Sequence, residues 1–366
     1  MYVSSLLVRN FRRIAEASLS LTNGMQLILG LNAQGKTSLI EALLFLSTST
    51  SHRTRKEEEL IRWGEEASYL RARIEAGSEQ TVLECGIEKK RKQIKVDGSV
   101  LPRVKDLYGL CRTVLFVPED LAIVDGSPQE RRRFMDMGIA QADPAYITVL
   151  QQYKRVLLHR NHVLRQMQER NSPALQSQLD VWNQTFLEYA TDTIIKRTAL
   201  IHALAPLLEE AYAALADDGP LRIHYPAGKA GDAAAIQEAF REKMERVRAT
   251  EIERGSSQIG PHRDELYFYL ADKNIALFGS QGQRRAAVLA LRLAQAKWFT
   301  QSGFGLPVLL IDDVVYEMDN TRRSRFWRVL DFSGQMIVTA TDREHLGPGI
   351  EPTQLFKVDH GEICLC

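Results

Sequence analysis

The chain has 366 residues, more than one ordinary hydrophobic core accommodates, so two lobes or a domain with an appendage are expected. Its 47 lysines and arginines face 46 aspartates and glutamates, a net charge of +1, so overall charge predicts no nucleic-acid affinity and any such site must be a local patch. No apolar stretch approaches the ~20 residues of a membrane span, no signal-peptide core opens the chain, and Cys85, Cys111, Cys364 and Cys366 lack C-x-x-C spacing; a cytoplasmic protein with reduced thiols is expected.

Residues 2–8 and 17–21 read as strands of an opening antiparallel piece, with Asn10-Phe11-Arg12-Arg13 at the turn. Met25–Leu29 is a short apolar strand. It runs into Gly30-Leu31-Asn32-Ala33-Gln34-Gly35-Lys36-Thr37, a full match to the phosphate-loop pattern G-x-x-x-x-G-K-[ST]. From Ser38 to residue 45 the spacing is that of a buried helix. In this context the backbone N–H groups of residues 30–38 point at phosphate oxygens, and Lys36 adds a full positive charge. Thr37 offers its hydroxyl to Mg²⁺. The segment is read as a nucleoside triphosphate site for ATP–Mg²⁺.

Segments 69–75, 81–88 and 93–96 alternate apolar and polar residues as half-buried strands do, and Thr113–Phe116 is a buried strand. From residue 145 to about 252 the character changes. Runs 146–168 and 175–215 are compatible with helices, broken at Asn171-Ser172-Pro173 and interrupted at Pro206; Leu150, Tyr153, Leu157, Val163 and Leu164 supply a partial apolar stripe. Antiparallel helices joined by a short turn make a projecting arm. Residues 221–225 and 233–248 lead back from it, and 266–270 resumes the sheet. The predicted division is a first head segment at 1–144, a helical arm at 145–255 and a second head segment at 256–366.

Two motifs in the last segment complete the site. Ser280-Gln281-Gly282-Gln283 opens an Ala/Leu-rich helix, and a serine and a glycine at a helix N-terminus make a second anion site. One nucleotide has no use for two phosphate cradles in the same chain. Two chains facing head to tail do, because each Ser280 then caps the γ-phosphate held by the other chain's Lys36. The all-apolar run 307–311 reads as a strand buried on both faces and ends in Asp312-Asp313, at the carboxyl end where ligands of open α/β sheets sit. Asp312 is the candidate magnesium ligand. Asp313 is the candidate for orienting or deprotonating the attacking water.

The order of these motifs, followed by Glu317-Met318-Asp319, resembles ABC-type ATPase heads of the chromosome-maintenance and double-strand-break group. Within that group the chain is similar to the RecF family of bacterial recombination mediators, on 8–12, 116–121, 126–136, 153–157 with Arg160-Asn161, Gly260-Pro261-His262-Arg263-Asp264 and 338–342. The resemblance implies an α/β head with a mixed sheet and a helical arm lobe inserted between its halves. It makes Arg12 a candidate for reaching the nucleotide. It makes Glu119, where related heads carry a magnesium-sensing glutamine, a candidate magnesium contact, although a Pro-Glu-Asp helix cap explains the same residues. Asp319 becomes the candidate D-loop residue.

For function, the resemblance implies weak DNA-stimulated ATP hydrolysis and an ATP-dependent homodimer that clamps DNA at gaps or junctions. It also implies work with RecR, and indirectly RecO, to load RecA, with links to replication and the SOS response. Candidate phosphate contacts on DNA are Arg53, Arg55 and Lys56 after the phosphate-loop helix, Arg160 and Arg165 on the arm, and the run 89–95 as a reserve. A solvated face is the competing reading of each. Ala33 stands where the family usually has glycine, which fits if its φ is below zero; Val117 and Tyr316 stand where serine is common. An ABC transporter ATPase subunit and a phosphate-loop kinase are the alternatives on the motifs alone.

Overall fold

The computed structural model describes residues 1–89, 91–170, 172–228, 233–314, 318, 320–330, 333–347 and 349–366. The chain opens with β1 (Tyr2–Phe11), β2 (Ile14–Ser20) and β3 (Met25–Leu29), then α1 (Lys36–Thr48). There follow β4 (Ala67–Ala76), β5 (Glu79–Glu88), β6 (Arg91–Val96), β7 (Ser99–Val100) and β8 (Thr113–Phe116). The helices α2 (Leu121–Asp125), α3 (Pro128–Ala142), α4 (Ala145–Glu169) and α5 (Pro173–Leu215) come next, then β9 (Leu221–His224) and α6 (Ala233–Arg254). The remainder is β10 (Tyr267–Leu270), β11 (Lys273–Asn274), α7 (Ile275–Phe278), α8 (Gln281–Gln301), β12 (Val308–Asp312), α9 (Asn320–Val329), β13 (Met336–Ala340), β14 (Gln354–Asp359) and β15 (Glu362–Leu365).

These elements form two compact units, one of Met1–Leu121, Leu207–Pro220 and Gln281–Cys366, the other of Ala122–Pro206 and Leu221–Ser280. The first holds two six-stranded sheets, ordered β2-β1-β4-β5-β6-β7 and β15-β14-β3-β13-β12-β8. In the second of these, β14, β3, β13, β12 and β8 run parallel and only β15 is antiparallel. Between the sheets, α1 is apolar almost all round, and every one of its residues except Thr37 is buried. A helix apolar on all faces needs apolar surface on all sides. Here Leu39, Ile40 and Leu43 share one core with Val3, Leu6 and Val8 of β1, Leu70 of β4 and Leu310 of β12. Each such side chain contributes roughly 1.5–3 kcal/mol by leaving water, and together they lock the helix start against the strands that carry the site.

The second unit packs α4, α5 and α6 around Val163, Leu164, Met167 and Leu179, with Trp182 and Ile252 against them. Buried ion pairs tie it together. Arg197 donates to Asp136 Oδ1 at 3.0 Å, to Asp264 Oδ2 at 3.0 Å and to the Pro261 carbonyl at 2.8 Å, and Arg131 pairs with Glu265 at 2.5 Å. These bonds bring 122–144 and 256–280 into the helical unit, so its bounds lie outside the expected 145–255. The expectation that 266–270 resumes the head sheet is corrected: β10 belongs to a separate three-stranded sheet, ordered β11-β10-β9, inside the helical unit. Nor does Pro206 interrupt its helix, because α5 runs through it, and the division of the chain into units falls at that residue. Among the described residues no helix is long and apolar enough to cross a membrane.

Candidate functional site

The phosphate loop leaves β3 at Gly30 and enters α1 at Lys36. Gly30 has no room for a side chain, since a β-carbon there would lie 2.5 Å from the Val358 carbonyl oxygen. Gly35, at φ +117, is in the left-handed region that glycine tolerates best. Ala33 overturns the expectation of a negative φ: it sits at +68, where a β-carbon costs roughly 1–2 kcal/mol. Arg13 holds it there, donating from Nη1 to the Ala33 carbonyl at 2.8 Å. Lys36 is buried at the end of the loop, and its Nζ donates to the carbonyls of Gly30 and Leu31 at 2.8 and 3.2 Å.

Strand order brings the second half of the site to this lysine. β12 lies one strand away from β3, with β13 between them. Asp312 ends β12 directly opposite Thr339 of β13, whose hydroxyl donates to Asp312 Oδ1 at 2.6 Å. Burial pushes the Asp312 carboxyl up to about 6, against the opposing hydrogen bonds from Thr339 and Thr37 and with the negative charges of Asp313 and Glu119 adding to the rise. Asp313 follows in the left-handed region at φ +51, its N–H donating to Thr339 Oγ1 at 3.0 Å. This conformation turns Asp313 Oδ2 to within 3.8 Å of Lys36 Nζ, and leaves Oδ1 buried without a hydrogen-bond partner among the described residues. Strained backbone of this kind collects at functional sites. The structure thus unites Lys36, Thr37, Asp312 and Asp313, as the motif spacing requires.

A cleft of about 790 Å³ opens in front of the loop, lined by Lys36, Thr37 and Ser38 at its base and by Arg12, Arg13 and Asp313 among its walls. Arg12 is fixed by a two-point ion pair to the fully buried Glu41, at 2.7 and 2.9 Å, and by a 2.7 Å bond to the Glu59 carbonyl. Glu119 is exposed, in the 3₁₀ turn Pro118–Asp120. Asp120 fastens that turn by accepting from Arg292 at 2.5 and 2.9 Å and from the Val117 N–H at 3.3 Å, which is the helix-cap reading of this segment. Among the described residues no three acidic, histidine or cysteine side chains form a metal cage. A Thr37 hydroxyl beside Asp312 is nevertheless an all-oxygen donor set that suits magnesium completed by phosphate oxygens and water.

Ser280, Gln281 and Gln283 lie at the start of α8, the first two exposed. The Arg322 guanidinium lies over Gly282, its Nη1 2.4 Å from where a β-carbon would stand, so a larger residue there would displace that side chain. Asp319 lies outside the described residues. Of the DNA candidates, Arg53, Arg55, Lys56 and Arg165 are exposed, and Arg53 also lines the nucleotide cleft. Arg160 is corrected: it is 1% exposed and enclosed by Glu251, Ser257 and Asn183 at 2.6, 2.6 and 2.8 Å, out of reach of any phosphate. Sequence reasoning gave no role to Thr339, Arg13, Arg322 or Trp63. Thr339, a hydroxyl residue inside a strand flanked by apolar residues, was the one with a visible signal.

The family profile described as the RecF/RecN/SMC N terminal domain matches residues 2–363. A DNA replication and repair protein RecF of Bacillus cytotoxicus is 36% identical over 365 residues, covering 98% of this chain and 95% of that protein. The Bacillus thuringiensis protein of the same name is 37% identical over 349 residues, covering 93% and 92%. The solved structure of the recombination mediator protein RecF with ATP in the RecFOR pathway superposes with a TM-score of 0.90 at 29% identity, covering 100% of this chain and 97% of that one. An Smc head domain of Pyrococcus furiosus, at TM-score 0.58 and 16% identity, shares the fold. The transporter-subunit and kinase alternatives give way to these likenesses, which span nearly the whole chain: the chain belongs to the RecF family of DNA replication and repair proteins, an ABC-type ATPase family.

Proposed function

We propose that this protein is an ATP-operated DNA clamp of recombinational repair, in which bound ATP closes two copies into a dimer and slow hydrolysis reopens them. The observation that carries the reading is the meeting of Lys36 with Asp313, 3.8 Å apart, at the base of a cleft built on the phosphate loop. Loop N–H groups of residues 30–38 and the Lys36 cation hold the phosphates, and Arg12 borders them. Thr37 and Asp312, with Glu119 as a further candidate contact, would hold Mg²⁺, which would neutralise charge building on the transferred phosphoryl group. Asp313 orients the attacking water and takes its proton on a carboxylate oxygen, while Thr339 fixes both aspartates.

The α8 signature acts in trans. Ser280, Gln281, Gly282 and Gln283 of each copy cap the γ-phosphate held by the other, with Asp319 the candidate D-loop residue, and each nucleotide adds charge-assisted hydrogen bonds of roughly 1.5–3 kcal/mol apiece. Ser280→Arg is therefore expected to bind ATP as a monomer and to lose the dimer. Sedimentation with and without ATP–Mg²⁺ and DNA tests the whole scheme: a variant that still dimerises with ATP removes the trans arrangement, and a wild-type chain indifferent to ATP removes the clamp. The partner set follows the family: RecR and indirectly RecO, with RecA loaded at gaps, in the cytoplasm and in connection with replication and the SOS response.

DNA is held mainly through phosphates, so affinity depends on salt more than on sequence. With about five phosphates neutralised, the log–log salt slope is near −4.5. Replacing Arg55 and Lys56 by alanine flattens it by about two units, and Arg165→Ala by about one. Arg53 is tested separately at saturating ATP, because it lines the nucleotide cleft. Slopes unchanged in all of these variants would move the DNA surface elsewhere.

A further inference from the structure

We propose that Trp63 is the platform on which the base of the bound nucleotide stacks, an assignment that rests on the nucleotide reading of the cleft. Trp63 is 98% exposed and lines the same cleft as Lys36, Thr37, Arg12 and Arg13. A tryptophan has among the largest apolar surfaces a protein can bury, and this one faces water from a backbone that is firmly held. The Glu65 N–H donates to the Arg62 carbonyl at 3.0 Å, closing a four-residue turn with Trp63 and Gly64 at its centre. Gly64, at φ +90, has the left-handed value that the third position of a type II turn demands.

The turn is tied on both sides to the β1–β2 connection. The Arg62 N–H donates to the Asn10 carbonyl at 2.8 Å, and Asn10 Nδ2 donates to Glu65 Oε2 at 3.2 Å. The next residues of that connection, Arg12 and Arg13, reach the buried Glu41 and the Ala33 carbonyl of the phosphate loop. One hydrogen-bonded frame therefore carries the indole and the two cations that border the phosphates. A nucleoside triphosphate is charged at one end and flat and π-faced at the other. Among the described residues lining the cleft, Trp63 is the only aromatic one. Stacking on an indole tolerates every base, so the platform strengthens binding of nucleotides as a class.

The test compares ATP, GTP and inorganic tripolyphosphate, each with Mg²⁺, titrated into the full-length chain without DNA. Trp63→Ala is expected to weaken ATP and GTP on the order of tenfold and to leave tripolyphosphate unchanged, with Trp63→Phe recovering most of the loss. Quenching of tryptophan fluorescence by ATP is expected in the wild type and absent from Trp63→Phe, which retains Trp182, Trp298 and Trp327. Unaltered ATP affinity in Trp63→Ala overturns the assignment, and does so in favour of DNA stacking if DNA affinity falls instead. An equal loss for tripolyphosphate also overturns it, because the residue would then only shape the cleft. A wild-type chain that binds neither ATP nor tripolyphosphate removes the nucleotide reading itself, an outcome distinct from both.

Discussion

Replacing Lys36 by methionine is expected to abolish ATP binding, ATP-dependent dimerisation and DNA clamping together. The Nζ group is 3% exposed, bonded to two loop carbonyls and 3.8 Å from Asp313, so its charge is fixed where phosphates would lie. Losing two charge-assisted hydrogen bonds at roughly 1.5–3 kcal/mol each weakens ATP by about a hundredfold or more. Asp313→Asn gives the contrasting result. It keeps the shape of the left-handed residue and loses the proton acceptor, so the dimer persists while turnover falls. Equilibrium ATP titration, sedimentation and single-turnover hydrolysis separate the two. Normal hydrolysis by Asp313→Asn would shift the base to Glu119, whose charge already acts on Asp312.

Arg160→Ala is expected to destabilise the helical unit strongly. Its guanidinium is 1% exposed, pairs with the fully buried Glu251 at 2.6 Å and lies 4.8 Å from the Phe186 ring centre. Truncation leaves the Glu251 carboxylate buried without its cation, which costs about 3–5 kcal/mol, a large share of the 5–15 kcal/mol that holds a typical domain folded. Urea unfolding reads this directly. The paired change Arg160→Met with Glu251→Gln removes both charges and should recover much of the loss. A fully stable Arg160→Ala protein with weakened DNA binding would return this residue to the DNA surface.

The contrast between Lys36 and Arg160 shows what the sequence could and could not disclose. The phosphate loop is a contiguous motif whose chemistry is local, and the strands Met25–Leu29 and Thr113–Phe116 have the expected bounds, the first set between Gly24 and Gly30 and the second ending just before Val117-Pro118. Arg160 looked like one charge in a basic stretch. Yet Tyr153, Val156, Arg160, Val163, Leu164 and Met167 are all buried along α4, at steps of three and four. The arginine occupied a core position of the stripe, and the spacing was there to see. Its partners were not, because Glu251 and Ser257 lie 91 and 97 residues away in the chain. The left-handed turn of Asp313 was equally hidden, since it depends on a hydroxyl supplied by Thr339 in the neighbouring strand. The separate β9–β10–β11 sheet escaped for the same reason: alternation marks a strand without naming its neighbours.

Alanine and glycine codons differ at a single base, which gives the left-handed Ala33 a meaning beyond this one loop. Relief of its backbone strain, worth about 1–2 kcal/mol, is one point mutation away, and so is its return. Glycine here would also widen the range of shapes open to the unfolded loop, so the mutation exchanges local strain for entropy with little change to any side-chain contact. Lineages could therefore drift between a stiff and a supple phosphate cradle at almost constant overall stability, altering how fast nucleotide enters and leaves while every ligand-contacting side chain stays the same.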